Sequence, residues 1–283
     1  MTMQEATYLL LNKLRSIYSE GEASQITDWI MESLTGSKKT ERMLYKNAVI
    51  TDKEELQLQQ YAERLMQHEP MQYVLNEAWF CRYKFYVDKN VLIPRPETEE
   101  LVEWIITNCK FPIDQLSILD IGSGSGCIPI TLKRKLRKAE VWSCDISNEA
   151  LQVARKNADQ LSVNVNFFQT DFLNKVQRDK LPMFDIIVSN PPYIPEKDKN
   201  EMQPNVVKYE PHIALFVPDN DALVFYKAVA DFGKQHLNIN GTIYMELHEN
   251  YSKEVVQLFQ SENYSAEIKK DMQGKDRLLK ASK

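Results

Sequence analysis

The chain has 283 residues, 43% of them hydrophobic and 27% charged, enough apolar side chains for a sizeable core in one large or two modest domains. Its formal charge of −5 and pI of about 5.6 disfavour a protein whose main surface grips phosphate, because that task needs a basic face. No secretory pattern opens the chain and no apolar run approaches the ~18 residues of a membrane span. Cys81, Cys109, Cys127 and Cys144 form no C-x-x-C pair and read as buried thiols of a cytoplasmic protein, with no metal site.

In chain order, Thr2-Met3-Gln4-Glu5 has the form of a capping box, and Leu10, Leu14 and Ile17 follow at helical spacing. A second helix places Ile26, Trp29, Ile30 and Leu34 on one face and stops at Gly36. A short helical stretch around Arg42 to Tyr45 comes next. Thr51-Asp52-Lys53-Glu54 is another capping box, opening a helix with Leu58, Tyr61 and Leu65 that Pro70 ends. Residues 1–70 are therefore expected to form a small helical domain for recognition or packing, since they hold no catalytic constellation. Residues 71–95 change texture. Trp79, Phe80, Tyr83, Phe85, Tyr86 and Val87 suit a β-hairpin linker, with a turn at Asp88-Lys89-Asn90.

Residues 96–283 are expected to form one α/β domain. Pro94-Arg95-Pro96-Glu97-Thr98-Glu99 opens a helix that carries Leu101, Val102, Trp104 and Ile105. Strands near Ile118, Val141, Val165 and Ile187 then alternate with helices at Ile128–Leu136, Asn148–Gln160 and Leu223–Gln235. Later strands fit Thr242–Leu247, Tyr264–Ile268 and Arg277–Lys280. That alternation predicts a doubly wound sheet with a parallel core.

Two strand ends carry the candidate chemistry. Leu119-Asp120-Ile121-Gly122-Ser123-Gly124-Ser125-Gly126 follows one strand, and its glycines let backbone approach a ligand. Asp145 closes the next strand, where an acid can accept hydrogen bonds from ribose hydroxyls. A plain tight turn, a nicotinamide-dinucleotide site and an S-adenosylmethionine site all remain open. The last fits best, because the spacing is G-x-G-x-G rather than G-x-G-x-x-G. Asp171 and Phe172, after the third strand, could bond and stack on adenine, or be a helix cap and a core ring. The buried strand Phe184–Ser189 ends in Asn190-Pro191-Pro192-Tyr193. Proline stiffens that loop, and a carboxamide, backbone carbonyls and an aromatic ring there suit a flat NH2-bearing group.

Asp120 to Gly126, Asp145 and Asn190 to Tyr193 together resemble class I methyltransferases that modify planar NH2 groups, in adenine or in glutamine. Further stretches, Glu69-Pro70-Met71-Gln72-Tyr73, Pro94 to Glu99, Glu210-Pro211 with Ala214-Leu215, and Asp276-Arg277, resemble the HemK/PrmC family. That resemblance implies a Rossmann-like methyltransferase domain and methylation of the glutamine in the Gly-Gly-Gln motif of class I peptide chain release factors. It implies that Gly122, Ser123, Gly124, Ser125, Gly126, Asp145, Asp171, Phe172 and Asn190 contact S-adenosylmethionine. Asn190, Pro191, Pro192 and Tyr193 would hold the glutamine, with Asn190 and Pro191 catalytic. A glutamine of a ribosomal protein, or adenine in DNA, is the alternative target; no membrane and no direct nucleic-acid substrate are expected. Phe172 stands where the family often has Trp, Asn76 where Gly is usual, and Leu247-His248 where Ile-Gly is usual; the last two are expected to lie away from the chemistry.

Overall fold

The computed structural model describes residues 1–109, 111–112 and 115–283. The chain divides into two compact units, Met1–Glu77 and Ala78–Lys283.

The first unit is helical: α1 (Met3–Leu14), α2 (Glu20–Thr35), α3 (Lys39–Leu44), α4 (Asp52–Met66) and α5 (Met71–Leu75). Both predicted capping boxes form. Thr2 and Thr51 accept from the backbone N–H of Glu5 and Glu54, whose carboxylates reach back to the N–H of Thr2 and Thr51. The core takes Ala6, Leu10 and Leu14 from α1, Ala23, Ile26, Ile30 and Met31 from α2, and Leu58, Ala62 and Leu65 from α4. Trp29, expected on the apolar face of α2, is 44% exposed. The stripe runs through Ala23, Ile26, Thr27, Ile30 and Met31, and Trp29 falls outside it. Pro70 does not end α4, which stops at Met66 with His68 left-handed at φ 61°; it precedes α5 instead, so the first residues of the expected hairpin are helical. Asn76 caps α5 at φ 54°, a conformation Asn tolerates nearly as well as Gly. Glu69 grips the Arg64 guanidinium at 2.5 and 2.8 Å.

The second unit opens with a hairpin, β1 (Ala78–Phe80) and β2 (Tyr83–Phe85). Its turn is Cys81-Arg82, both at positive φ (48° and 68°), not Asp88-Lys89-Asn90. Neither residue is a usual left-handed turn former; the Glu99 carboxylate stabilises the turn by accepting from the Cys81 N–H at 2.8 Å. Then come α6 (Pro96–Asn108), β3 (Ser117–Ile121), α7 (Cys127–Lys135), β4 (Glu140–Asp145), α8 (Asn148–Gln160), β5 (Asn166–Gln169), α9 (Lys175–Arg178) and β6 (Phe184–Ser189). The chain continues with β7 (Ile194–Pro195), α10 (Pro204–Tyr209), β8 (Phe216–Val217), α11 (Val224–His236), β9 (Leu237–Glu246), α12 (Ser252–Ser261), β10 (Ser265–Lys270) and β11 (Asp276–Ser282).

Among the described residues the main sheet has seven strands in the order β10-β11-β9-β6-β3-β4-β5. The five from β9 to β5 are parallel, and β11 and β10 add antiparallel at one edge. Side chains alternate across each strand, so both faces are covered. Ile118, Ile186 and Val188 face Leu101, Val102 and Ile105 of α6 and Ile130 of α7. Leu119, Ile121 and Ile187 share the other layer with Val229 and Phe232 of α11 and Phe259 of α12. Each such buried side chain contributes roughly 1.5–3 kcal/mol. β9 starts before the expected Thr242 because Leu237 pairs with Phe184 ahead of a register shift; Ile186 then pairs with Thr242. Chain order leaves β3 outward to β4 and β5, then returns to β6 on the other side of β3. The carboxyl ends of β3 and β6 therefore flank the switch point where open α/β sheets bind ligands.

Candidate active site

Parallel pairing of Ile121 with Ser189 brings the glycine loop beside Asn190. Gly122, Gly124 and Gly126 have φ of 89°, 50° and 80°, which an L side chain rarely adopts. Gly126 is further constrained by packing: a Cβ there would lie 2.8 Å from Ile130 Cδ1 and 3.2 Å from Ala154 Cβ. At Gly124 there is open space, and its N–H donates to Asp145 Oδ2 at 2.9 Å. Asp145 Oδ1 accepts from the Ser147 N–H. Burial pushes the Asp145 carboxyl above its usual range, opposed by these backbone donors. Ser123 turns its hydroxyl inward to Ser143 at 2.5 Å, and Ser143 donates to Asp120 Oδ2 at 2.6 Å. Asp120 is wholly buried, and burial raises its pKa well above the carboxylate range. It supports the loop from below. Asn157 of α8 ties the loop to the chain after the hairpin: its Nδ2 donates to the carbonyls of Ser125 and Tyr86, and its Oδ1 accepts from the Tyr86 N–H.

Asn190 sits at the head of a second network. Its Nδ2 donates to Thr98 Oγ1 at 3.0 Å, and Thr98 donates to Glu246 Oε2 at 2.8 Å. Tyr193 donates to Glu246 Oε1 at 2.9 Å. Glu246 ends β9 and is 2% exposed; burial raises its carboxyl pKa, while the bonds from Thr98 and Tyr193 and the charge of Arg277 oppose the rise. His248 was expected to lie away from the chemistry. It packs edge-on to Tyr193 with ring centroids 5.9 Å apart, because the chain leaving Glu246 turns across that ring.

Two cavities adjoin this network. One, of about 410 Å³, is lined by Gly122 to Ser125, Asp145, Ile146, Asp171, Phe172 and Asn190 to Pro192. The other, of about 270 Å³, is lined by Asn190, Pro191, Tyr193, Met202, Val206 and Glu246. They share Leu92, Arg95, Asn190, Pro191 and Ala214. Arg95 is fixed there by Glu210, 2.5 Å away, whose other oxygen accepts from the Ile93 N–H. The first cavity falls in the size range of cofactor sites. The Asp145 carboxylate as acceptor, the open space beside Gly124 and the apolar Phe172 ring form a lining that fits a nucleoside.

Of the residues singled out from the sequence, Gly122 to Ser125, Asp145, Asp171, Phe172, Asn190, Pro191 and Pro192 line the first cavity; Asn190, Pro191 and Tyr193 line the second. Gly126 lines neither and instead packs under α8. Phe172 is buried, edge-on to Phe232 at 5.2 Å, and Asp171 Oδ1 accepts from the Leu173 N–H. The sequence reading missed Ile146, 45% exposed at the cavity, and the roles of Thr98 and Glu246. Glu246 carried a usable signal, an acid closing the apolar run Ile243-Tyr244-Met245, as Asp145 closes its own strand. Of the cysteines, Cys127 and Cys144 are buried, whereas Cys81 and Cys109 are only partly covered.

This strand order, with a nucleoside-sized cavity at the switch point, is the architecture of class I methyltransferases, and the chain has that fold. Residues 98–209 match the family described as "Methyltransferase small domain", and residues 8–75 match "PrmC N-terminal domain". The chain is 41% identical over 272 residues to the release factor glutamine methyltransferase of Flavobacterium psychrophilum, covering 95% of each. It is 38% identical over 282 residues to that of Bacteroides thetaiotaomicron, covering 99% of this chain and 100% of the other. A methyltransferase from Pyrococcus furiosus shares the fold at a TM-score of 0.51 and 19% identity, over 70% of this chain and 87% of that one. The chain belongs to the release factor glutamine methyltransferase family, and it is an enzyme, a methyltransferase. Among the described residues, no helix is long and apolar enough to cross a membrane.

Proposed function

We propose that this enzyme transfers a methyl group from S-adenosylmethionine to the side-chain amide nitrogen of the glutamine in the Gly-Gly-Gln motif of class I peptide chain release factors. One observation carries the reading: the cavity beside the glycine loop and the cavity beside Tyr193 meet on Asn190 and Pro191. In the first, Gly122 to Ser125, Asp145, Asp171 and Phe172 would hold S-adenosylmethionine, which supplies an already activated methyl group. In the second, Tyr193 would pack against the glutamine, while Pro192, on the wall of the first cavity, stiffens the loop that carries both acceptors.

An amide nitrogen is a poor nucleophile because its lone pair is delocalised into the carbonyl, so orientation and polarisation are what the protein must supply. Asn190 Nδ2 is engaged by Thr98, which leaves Oδ1 to accept one amide hydrogen. The Pro191 carbonyl, with no hydrogen-bond donor on it among the described residues, accepts the other. Two acceptors on one NH2 group place its nitrogen toward the first cavity and favour the more nucleophilic form. The chemistry sets the enzyme in the cytoplasm, where release factors act, with neither a membrane nor a nucleic acid as substrate.

The test incubates the protein and labelled S-adenosylmethionine with a release factor, its Gln-to-Ala variant, ribosomal protein, or duplex DNA. Label should enter the intact release factor alone. Undiminished label on the variant, or label on DNA or ribosomal protein, would replace this target with another. Asn190→Ala should lower methyl transfer by about 100-fold or more, the scale of a lost transition-state hydrogen bond. Calorimetry should show the cofactor still binding. Near-normal transfer by Asn190→Ala would remove its role.

A further inference from the structure

A primary amide has nearly the same shape when turned by 180° about its last bond, but the turn exchanges its acceptor for its donors. What Asn190 offers a substrate therefore depends wholly on what holds its other side. That side faces Thr98, and a hydroxyl has one proton to give. An ionised carboxylate only accepts, so the Thr98 proton lies toward Glu246 Oε2, at 2.8 Å. Only a lone pair of Thr98 then faces Asn190, which must present Nδ2, at 3.0 Å. Oδ1 is left with no protein partner among the described residues. The second oxygen of Glu246 is held by Tyr193, so both ends of the Asn-Pro-Pro-Tyr loop refer to one carboxylate. That carboxylate is itself positioned by the pairing of Glu246 with Leu278 at the end of β9.

We propose that Glu246, acting through Thr98, is the positioning residue that fixes which side of the Asn190 amide meets the substrate, and so makes the site select an N–H-bearing carboxamide over a carboxylate of the same shape. This rests on the glutamine reading above. With Oδ1 of Asn190 and the carbonyl of Pro191 both accepting, a glutamate side chain meets two acceptors and no donor. With Asn190 turned over, Nδ2 would welcome that glutamate and repel the glutamine NH2.

Protonation of Glu246 should break the relay, because a carboxylic acid can donate to Thr98 and reverse its hydroxyl. Thr98 and Glu97 on α6, Tyr193 after β6, Tyr226 on α11 and Arg277 on β11 are the polar and charged groups around it. Burial already moves its titration upward, opposed by Arg277.

The experiment compares wild type, Thr98→Val and Thr98→Ser on a release factor, with its Gln-to-Glu variant as competitor. Thr98→Val keeps the shape and removes the hydroxyl. It should lower kcat about 10- to 100-fold, the scale of one misdirected hydrogen bond, with S-adenosylmethionine affinity within about threefold. It should also bind the Glu competitor more tightly than wild type does, and Thr98→Ser should recover most of the lost rate. A purely structural role for Thr98 would not improve binding of the competitor. Thr98→Val turning over within threefold of wild type and excluding the competitor equally, or Thr98→Ser being as impaired as Thr98→Val, overturns the proposal. Should Thr98→Val fail to fold, the pH profile decides: kcat/KM of wild type should fall on the acid side and Glu246→Gln should lack that limb. The same limb in both proteins overturns the proposal. A wild-type enzyme that leaves the glutamine unmethylated removes the substrate reading and the proposal with it. A wild-type enzyme that methylates it beside an unaffected Thr98→Val removes only the positioning role.

Discussion

Replacing Asn157 by aspartate changes almost no volume and removes two hydrogen-bond donors from the interior. Asn157 is fully buried, and its Nδ2 lies 2.8 Å from the Ser125 carbonyl and 2.9 Å from that of Tyr86. A carboxylate there would face two carbonyl oxygens, so the new group must take up a proton to stay inside. Holding a carboxyl of ordinary pKa protonated costs about 4 kcal/mol at pH 7 and about 1.5 kcal/mol at pH 5. Even protonated, it has one O–H for two carbonyls, and the unpaired one costs about 1–3 kcal/mol more. The expected deficit is therefore roughly 6 kcal/mol at pH 7 and roughly 3 kcal/mol at pH 5. The sign follows from linkage. The folded-state pKa of the new carboxyl exceeds its unfolded value, so its best contribution lies below the unfolded value and is lost as pH rises through the folded one. Urea unfolding of wild type and Asn157→Asp at both pH values measures this. Affinity for S-adenosylmethionine should weaken as well, since Ser125 belongs to the glycine loop. A deficit under about 1 kcal/mol at pH 7, or one that does not shrink at pH 5, would refute the reasoning.

Gly126→Ala should destabilise by about 2–4 kcal/mol, combining a positive φ of 80° with contacts of 2.8 and 3.2 Å to Ile130 and Ala154; thermal or urea unfolding would show it, and a neutral result would mean α8 can shift away. Glu246→Gln should separate stability from activity. Burial raises the Glu246 pKa in the folded protein, so wild type loses stability as pH rises through that value, whereas glutamine does not titrate. The urea midpoint of Glu246→Gln relative to wild type should therefore be higher at pH 8 than at pH 5, and an unchanged difference would show that Glu246 keeps an ordinary pKa.

Several features were legible in the sequence because they are local. The capping boxes at Thr2 and Thr51 need only residues three apart. The boundaries of α8 follow from Ser147 as cap and from the spacing of Leu151, Ala154 and Ala158. The β6 strand, buried at every position, is written in Phe184 and the apolar run Ile186-Ile187-Val188. Local signals also misled. A turn of Cys81-Arg82 has no glycine or asparagine to announce it, and the Glu99 carboxylate that stabilises it lies on the following helix. Pro70 looked like a stop for one helix and is the start of the next, because proline suits both positions.

The sequence by itself determined the alternation of strands and helices, the glycine loop, the acid of Asp145 and the asparagine that follows β6. Each is a short-range pattern, set by a backbone period or by a residue's own conformational limits. Only the tertiary structure decided how Asn190 is turned. Thr98 stands 92 residues before Asn190, and Thr98 and Glu246 are 148 residues apart. They meet because the crossover at β3 seats β6 between β3 and β9 and lays α6 beside their carboxyl ends. Which side of an amide faces outward depends on a hydrogen-bond partner, and the order of strands in the sheet, rather than any spacing along the chain, chooses that partner.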